Sequence, residues 1–389
     1  MHVARRALVA SAALLAALLG SVPRDVTADI APPNTPRRKP VVVKDGLEEV
    51  AASATHQWTG IAVAPDGRIF VSYPRWSGPH GTSVAVLAKD GTPTPYPDAE
   101  WNAWKPGSVK GVADHFVCVQ SVRVDPAGRL WVLDPGAPKL GAIVPGAPKL
   151  VEIDLATDKV VRTILFDATA APEGSYLNDV RIDRVRKVAY LTDSGLGALL
   201  VVDLATGATR RLLEDHPSTK AEADVIPKVG GQELRVLLPD GTPGPVPQVH
   251  ADGIALDLKH DLLYFCALTS RTLYKVKASL LADPATTKEA LAAALVRIPH
   301  DYVCDGLEVD AAGHVYLTDL EGDAISVMKV PGLWARLAHD ARIAWPDSLS
   351  FGPDGALYVT TAQIHRTPPF SKTMPETPYR ILKLAPLPW

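Results

Sequence analysis

The sequence predicts an all-β chain folded as a six-bladed β-propeller with four-stranded antiparallel blades. Two observations carry this prediction: one hairpin-like segment recurs six times, and further alternating stretches lie between the recurrences. The recurring segments are TGIAVAPDGRIFVSY (59–73), QSVRVDPAGRLWVLD (120–134), NDVRIDRVRKVAYLTD (178–193), DGIALDLKHDLLYFCA (252–267), DGLEVDAAGHVYLTD (305–319) and DSLSFGPDGALYVTTA (347–362). Each has a polar entry residue, an alternating strand, a turn rich in Asp, Pro, Ala, Gly or charge, and a second strand carrying an aromatic residue. LVEIDLATDKVVRTILF (150–166) and LLVVDLATGATRRLLE (199–214) supply further strand pairs around Ala-Thr turns, which makes four strands per unit. A β-helix would repeat at a much shorter period, and six equivalent hairpins in succession do not describe a sandwich.

In chain order, Arg5 and Arg6 precede an Ala/Leu run over residues 7–19, and Val26-Thr27-Ala28 offers small residues for cleavage. Residues 1–28 are therefore expected to be a signal peptide, since the apolar run is too short to span a bilayer; the arginine pair leaves both general and twin-arginine export open. Residues 29–40 are a Pro-rich linker, and residues 41–389 form the single propeller domain. Residues 41–50 are expected to pair with 379–384, which closes the ring with both ends of the chain in one blade. The Pro/Gly-rich span 216–248 reads as a long surface loop, and 283–295 as a short capped helix.

Charge adds an exclusion. A formal net charge of −3 with no basic stripe argues against a nucleic-acid partner. The expected partner is a small molecule, with no stable membrane insertion after signal cleavage, and the expected location is periplasmic or extracellular. Oligomeric state is not legible. Cys118, Cys266 and Cys304 have apolar neighbours and read as buried thiols.

Equivalent positions of a propeller form rings around its axis. The entry ring is Thr59, Gln120, Asn178, Asp252, Asp305 and Asp347. Strand ends returning to the same face add Asp134, Asp193, Asp319 and Thr361. Asp252-Gly253 and Asp305-Gly306 precede inner strands, whereas the hairpin turns fall at residues 258–261 and 311–313. Gly253 and Gly306 are thus expected to let the backbone crowd the axis. Carboxylates gathered at one mouth need a cation, a donor or a proton. Asp252, Asp305 and His250 are the expected proton carriers. The ligand-binding set is Thr59, Gln120, Asn178, Asp347, Asp193, Asp319, Gln363 and His365. Asp66, Asp125 and Asp354 read as solvated turn residues. Tyr96, Trp101 and Trp104 are expected to pack on blade edges, with a ligand wall as the alternative. No G-x-S-x-G, P-loop, H-E-x-x-H or paired C-x-x-C sequence is present.

The strings CVQSVRVDPAGRLWVLDPG, SYLNDVRIDRVRKVAYLTDSG, VHADGIALDLKHDLLYFCALTSRTLYKV and WPDSLSFGPDGALYVTTAQIHRTPPF resemble the yellow/major royal jelly protein family in its bacterial branch. The resemblance runs from about Val41 to the C-terminus. It implies a six-bladed propeller, secretion and a ligand-binding central cavity, with dopachrome tautomerisation linked to some members and amine binding or structural roles to others. A more distant similarity to gluconolactonase/regucalcin propellers implies a divalent metal such as calcium on Asn178, Asp252 and Asp305, with Thr59 where that family has a Glu. The leading expectation is a dopachrome-tautomerase-related isomerase that needs no redox cofactor; a metal-dependent lactonase and a non-catalytic binding protein are the alternatives.

Overall fold

The computed structural model describes residues 46–76, 81–372 and 377–386. The expected signal peptide, linker and first residues of the closing strand lie outside the described residues. Six four-stranded antiparallel sheets follow one another around an axis. Their inner strands are Ile61–Val63, Ser121–Val124, Leu177–Asp183, Ala251–Asp257, Leu307–Val309 and Pro346–Phe351, which head blades 1 to 6 in that order. Blade 6 is completed from the other end of the chain, where Leu47–Ser53 pairs with Tyr379–Leu384 as its outermost strand. That pairing ties the two ends of the chain together in one blade and so closes the ring.

Alternation and turn chemistry explain the strands. Gly128, Gly313 and Gly355 close hairpins at φ 71°, 89° and 75°, the left-handed region that costs glycine nothing. Blades 3 and 4 have no glycine there, and Lys187 and Asp261 take φ 57° instead. Apolar side chains of consecutive blades interlock as six clusters, one per blade interface. Trp131, Leu150, Leu191 and Leu200 join blades 2 and 3; Phe265, Val276, Tyr190 and Val201 join blades 3 and 4. Each buried aliphatic or aromatic side chain contributes about 1.5–3 kcal/mol of burial free energy.

The inner edge is tied by a repeated polar device. In blade 3 the register steps from Leu177 opposite Asp193 to Val180 opposite Leu191, so Asn178 and Asp179 together face Thr192. The same bulge places Asp252-Gly253 against Cys266 and Asp347-Ser348 against Thr360. A bulge re-aims the entry side chain, here toward the axis. The facing hydroxyl then serves two blades. Thr192 Oγ1 accepts the Asp179 N–H at 3.1 Å and donates to the Asp252 carbonyl of the next blade at 2.7 Å. Thr360 accepts from Ser348 N–H and donates to the Thr59 carbonyl; Ser72 accepts from Gly60 N–H and donates to the Gln120 carbonyl.

Three sequence expectations change. Residues 216–248 are not a peripheral loop: Val225, Val229 and Leu234 are buried against Leu268, Val303, Trp345 and Ile364, so the span caps one end of the propeller. The expected helix over 283–295 is confined to Lys288–Ala293, capped by Thr287, with a further short helix at Ala278–Ala282. Asp125 is 3% exposed, not solvated, because its carboxylate accepts Ala127 and Arg129 N–H groups and the Trp131 indole N–H. Tyr96 and Trp101 pack on blade edges as expected, against Phe70 and Phe116.

A Cβ added at Gly306 would fall on the Asp347 carbonyl of the next blade, and one at Gly253 on the Asp305 carbonyl. Gly306→Ala is therefore expected to lower unfolding free energy by about 1–3 kcal/mol in urea titrations. A midpoint equal to the parent's would remove the close-approach argument.

Candidate functional site

A cavity of ≈ 300 Å³ opens at the capped end. Its floor carries Gln120, Asn178, Asp252, Asp305 and Asp347, five of the six entry residues. The bulges of blades 3, 4 and 6 aim Asn178, Asp252 and Asp347 toward it. Trp76, Tyr176, Trp345 and Phe370 form an aromatic wall, and Leu234, Pro247 and Val249 close it from the capping span. Trp76 Nε1 donates to Tyr176 Oη at 2.9 Å, and Tyr176 donates on to Gln120 Oε1 at 3.1 Å.

Asn178 Nδ2 donates to Asp252 Oδ1 at 2.6 Å, and the Trp345 indole N–H donates to Asp305 Oδ2 at 2.8 Å. Asp252 and Asp305 share the floor, close enough for each carboxyl to perturb the other. Burial pushes all three aspartates well above the usual carboxylate range; Asp305 is raised further by Asp252, and Asp347 by Asp305. Two facing carboxylates in a desolvated site repel, so at least one proton stays on the pair. Asp347 has Ser348 on Oδ1, whereas its buried Oδ2 has no hydrogen-bond partner among the described residues. Trp345 itself holds a left-handed backbone at φ 50°, a cost offset by its indole bond and its burial.

The remaining sequence-predicted residues do not line this cavity. Thr59 Oγ1 is spent on the Gln120 carbonyl within the blade ring. Asp134 accepts the Val117 and Cys118 N–H groups and pairs with buried Lys149 at 3.0 Å. Asp193 accepts from Ser175 Oγ and Tyr176 N–H and pairs with Arg211, so it anchors the loop that presents Tyr176. Asp319 pairs with Arg336 and accepts Gly322 N–H; Thr361 bonds the Arg380 carbonyl. The returning strand ends therefore fasten loops instead of forming a second ring of ligand groups. His250 Nδ1 accepts Ala221 N–H at 2.9 Å, which turns the ring toward the capping span. Burial, with Lys220 second, lowers its pKa. His365 stacks on Trp345 at 5.8 Å behind the wall and is pushed down to about 4 by burial. Gln363 Nε2 donates to the Pro378 carbonyl.

Sequence reading missed the wall. Tyr176 and Trp345 each sit two residues before an entry residue, the same place as His250, so the repeat read two positions earlier contains them. Trp76, Phe370 and Leu234 follow no repeat.

Below the floor the channel is blocked. Arg123 makes a two-pronged ion pair with Glu308 from the opposite side of the ring. Arg181 binds Asp179 at 2.8 Å and the Leu307 carbonyl at 2.7 Å, and Ser121 donates to Asp179. A void of ≈ 10 Å³ lies among these side chains, room for no more than about one water molecule.

The oxygen set expected for a divalent metal, Asn178, Asp252 and Asp305, does converge on the cavity floor. Asp252 takes the Asn178 amide, Asp305 takes an indole, and the two carboxyls face each other. Among the described residues no three His, Cys, Asp or Glu side chains are arranged to hold a metal ion.

Comparison with known proteins follows the same lines. A family described as Major royal jelly protein matches residues 117–341. "Protein yellow" of Drosophila subobscura is 29% identical over 124 residues, covering 30% of this chain and 21% of that protein, and the Drosophila melanogaster protein is 27% identical over the same length. The matched stretch thus spans about a fifth of the length of these curated relatives. In fold, a gluconolactonase from Xanthomonas campestris superposes with TM-score 0.53 at 15% identity, covering 95% of this chain and 99% of that one. A luciferin-regenerating enzyme superposes at 0.51 with 11% identity, covering 88% and 95%. These two likenesses concern the fold alone. The family match takes in more than half of the 389 residues, including the inner strands that carry Gln120, Asn178, Asp252 and Asp305, and the chain belongs to the major royal jelly protein family.

Proposed function

We propose that this chain is an exported member of its family that binds a small polar or aromatic molecule in the central cavity and moves a proton within the bound ring, as a dopachrome-tautomerase-related isomerase does. The observation that supports this most is the facing Asp252 and Asp305 pair, buried at the floor of a cavity with aromatic walls. A pair holding one proton is at once an acid and a base. The ionised carboxylate takes a proton from ring carbon, the C–H electron pair moves into the conjugated system, and the neutral carboxyl delivers a proton to the quinone oxygen. The shared hydrogen bond returns the pair to its starting state. Nothing is oxidised or reduced overall, so no redox cofactor is required.

Asn178 and Trp345 act as positioning residues, since their N–H groups hold opposite ends of the pair. Aromatic walls favour flat ligands, and the closed far end limits their length. His250 is not needed as a shuttle, because its ring is engaged with Ala221. The lactonase alternative draws on fold likeness and on the same floor oxygens of Asn178, Asp252 and Asp305. A pure binding role uses the same cavity without chemistry.

The test is dopachrome turnover above its spontaneous rate. Asp252→Asn and Asp305→Asn are each expected to lower kcat/KM by about 10²–10⁴-fold while leaving the circular dichroism spectrum unchanged. Saturable binding of a catechol ligand with no product formed by the parent would leave only the binding role. Thermal stabilisation by calcium that disappears in both variants would favour the lactonase instead.

Protonation also makes stability depend on pH. Asp347 is raised in the folded chain, so its stabilising contribution is complete below the unfolded carboxyl value of about 4 and is lost as pH rises through the folded value. His300 and His365, pushed down to about 3 and about 4 by burial, act oppositely: their contribution is complete above the unfolded histidine range and is lost as pH falls. Asp347→Asn removes the first effect and leaves the second. Its urea midpoint is expected to gain on the parent's steadily from pH 4 to pH 8, and parallel curves would contradict a neutral Asp347.

A further inference from the structure

The device that ties one blade to the next has a different chemistry between blades 4 and 5. Where blades 1, 3 and 6 present Ser72, Thr192 and Thr360 against the entry bulge, blade 4 presents Cys266. Its sulfur does not meet a carbonyl of the next blade. It meets the sulfur of Cys304, the residue just before Asp305, with Sγ atoms 2.9 Å apart. Both residues are buried, at 0% and 1% exposure, and the pair lies directly behind the carboxyl floor: a Cβ on Gly253 would come within 3.2 Å of Cys266 Sγ. Cys118 belongs to another region, beside Arg75 and Asp134.

We propose that Cys266 and Cys304 are a modification site, at which oxidation forms a disulfide that joins blade 4 covalently to the entry of blade 5. An S–S bond needs about 2.0 Å, so the two sulfurs have less than an ångström to travel and the backbone need not move far. The reaction is a two-electron oxidation by a disulfide of the glutathione class. Each cysteine loses its thiol proton, one S–S bond forms in the protein, and the oxidant's S–S bond breaks to give two thiols. Because both sulfurs are shielded in the folded chain, exchange takes place while blades 4 and 5 dock. The neighbouring Cys266 thiol and burial push the Cys304 pKa up, which disfavours a Cys304 thiolate in the folded chain. The floor carboxyls keep their neighbours, since a thiol pair and a disulfide are both uncharged.

The inference is independent of ligand and activity, and its test reads sulfur alone. Full-length chain is folded in a mixed reduced and oxidised glutathione buffer, purified, and titrated for thiols in denaturant. One thiol per chain, assigned to Cys118 by peptide mapping, is expected without reductant, and all three after reduction. The non-reduced digest should contain one cross-linked peptide pair holding Cys266 and Cys304. Reductant should lower the melting temperature of the oxidised parent by about 5 °C or more. Cys266→Thr, which installs the hydroxyl that blades 3 and 6 use, should fold and melt identically with and without reductant. Three titratable thiols in the parent, a cross-link involving Cys118, or a reductant effect that persists in Cys266→Thr would each overturn the proposal.

Discussion

The structure depends on how closely six inner strands can approach one axis. That approach is a hydrogen-bond constraint before it is a packing one. Each bulge leaves an N–H without a ladder partner, deep in the molecule, where an unsatisfied donor is costly. In blades 3 and 6 a single hydroxyl accepts that N–H and passes its own proton to the next blade's carbonyl, so two blades become satisfied together. The glycines at the axis leave room for the carbonyl that receives it. Entry side chains, displaced by the same bulge, have nowhere to point except the channel. The carboxyl cluster is thus a by-product of the solution that closes the ring.

The concentration of acid at the floor follows from this geometry and is kept tolerable by protons and donors. Asn178 and Trp345 each satisfy one oxygen, and Asp252 and Asp305 satisfy one another. Burial lowers the pKa of His250 and His365 near the cap, which disfavours a positive charge on either ring. A site built in this way separates proton donor from proton acceptor over a very short path. It also makes the floor sensitive to what fills the cavity, because a ligand with a strong acceptor or a cationic group changes which carboxyl holds the proton.

Blade number, strand pairing and the entry ring were legible because they repeat, and a repeat converts a local pattern into a position around an axis. Five of the six entry residues meet at the cavity for that reason. The strand-end acids misled for a related reason. Asp134, Asp193 and Asp319 share a repeat position with each other, but their partners are loop amides and single basic residues such as Lys149 and Arg211, which no period announces. Asp125 was hidden in the same way, since a turn sequence does not reveal that an indole from the neighbouring position will seek its oxygen. The capping span looked like a loop because its apolar residues are few and unevenly spaced, yet Val225, Val229 and Leu234 suffice to bury it.

The Arg123–Glu308 bridge across the ring gives the cavity a blind end. Whatever enters must leave by the same doorway, between the capping span and the aromatic wall. Exchange is then paced by how readily that doorway empties, and a compound too long for the vestibule cannot thread past the bridge.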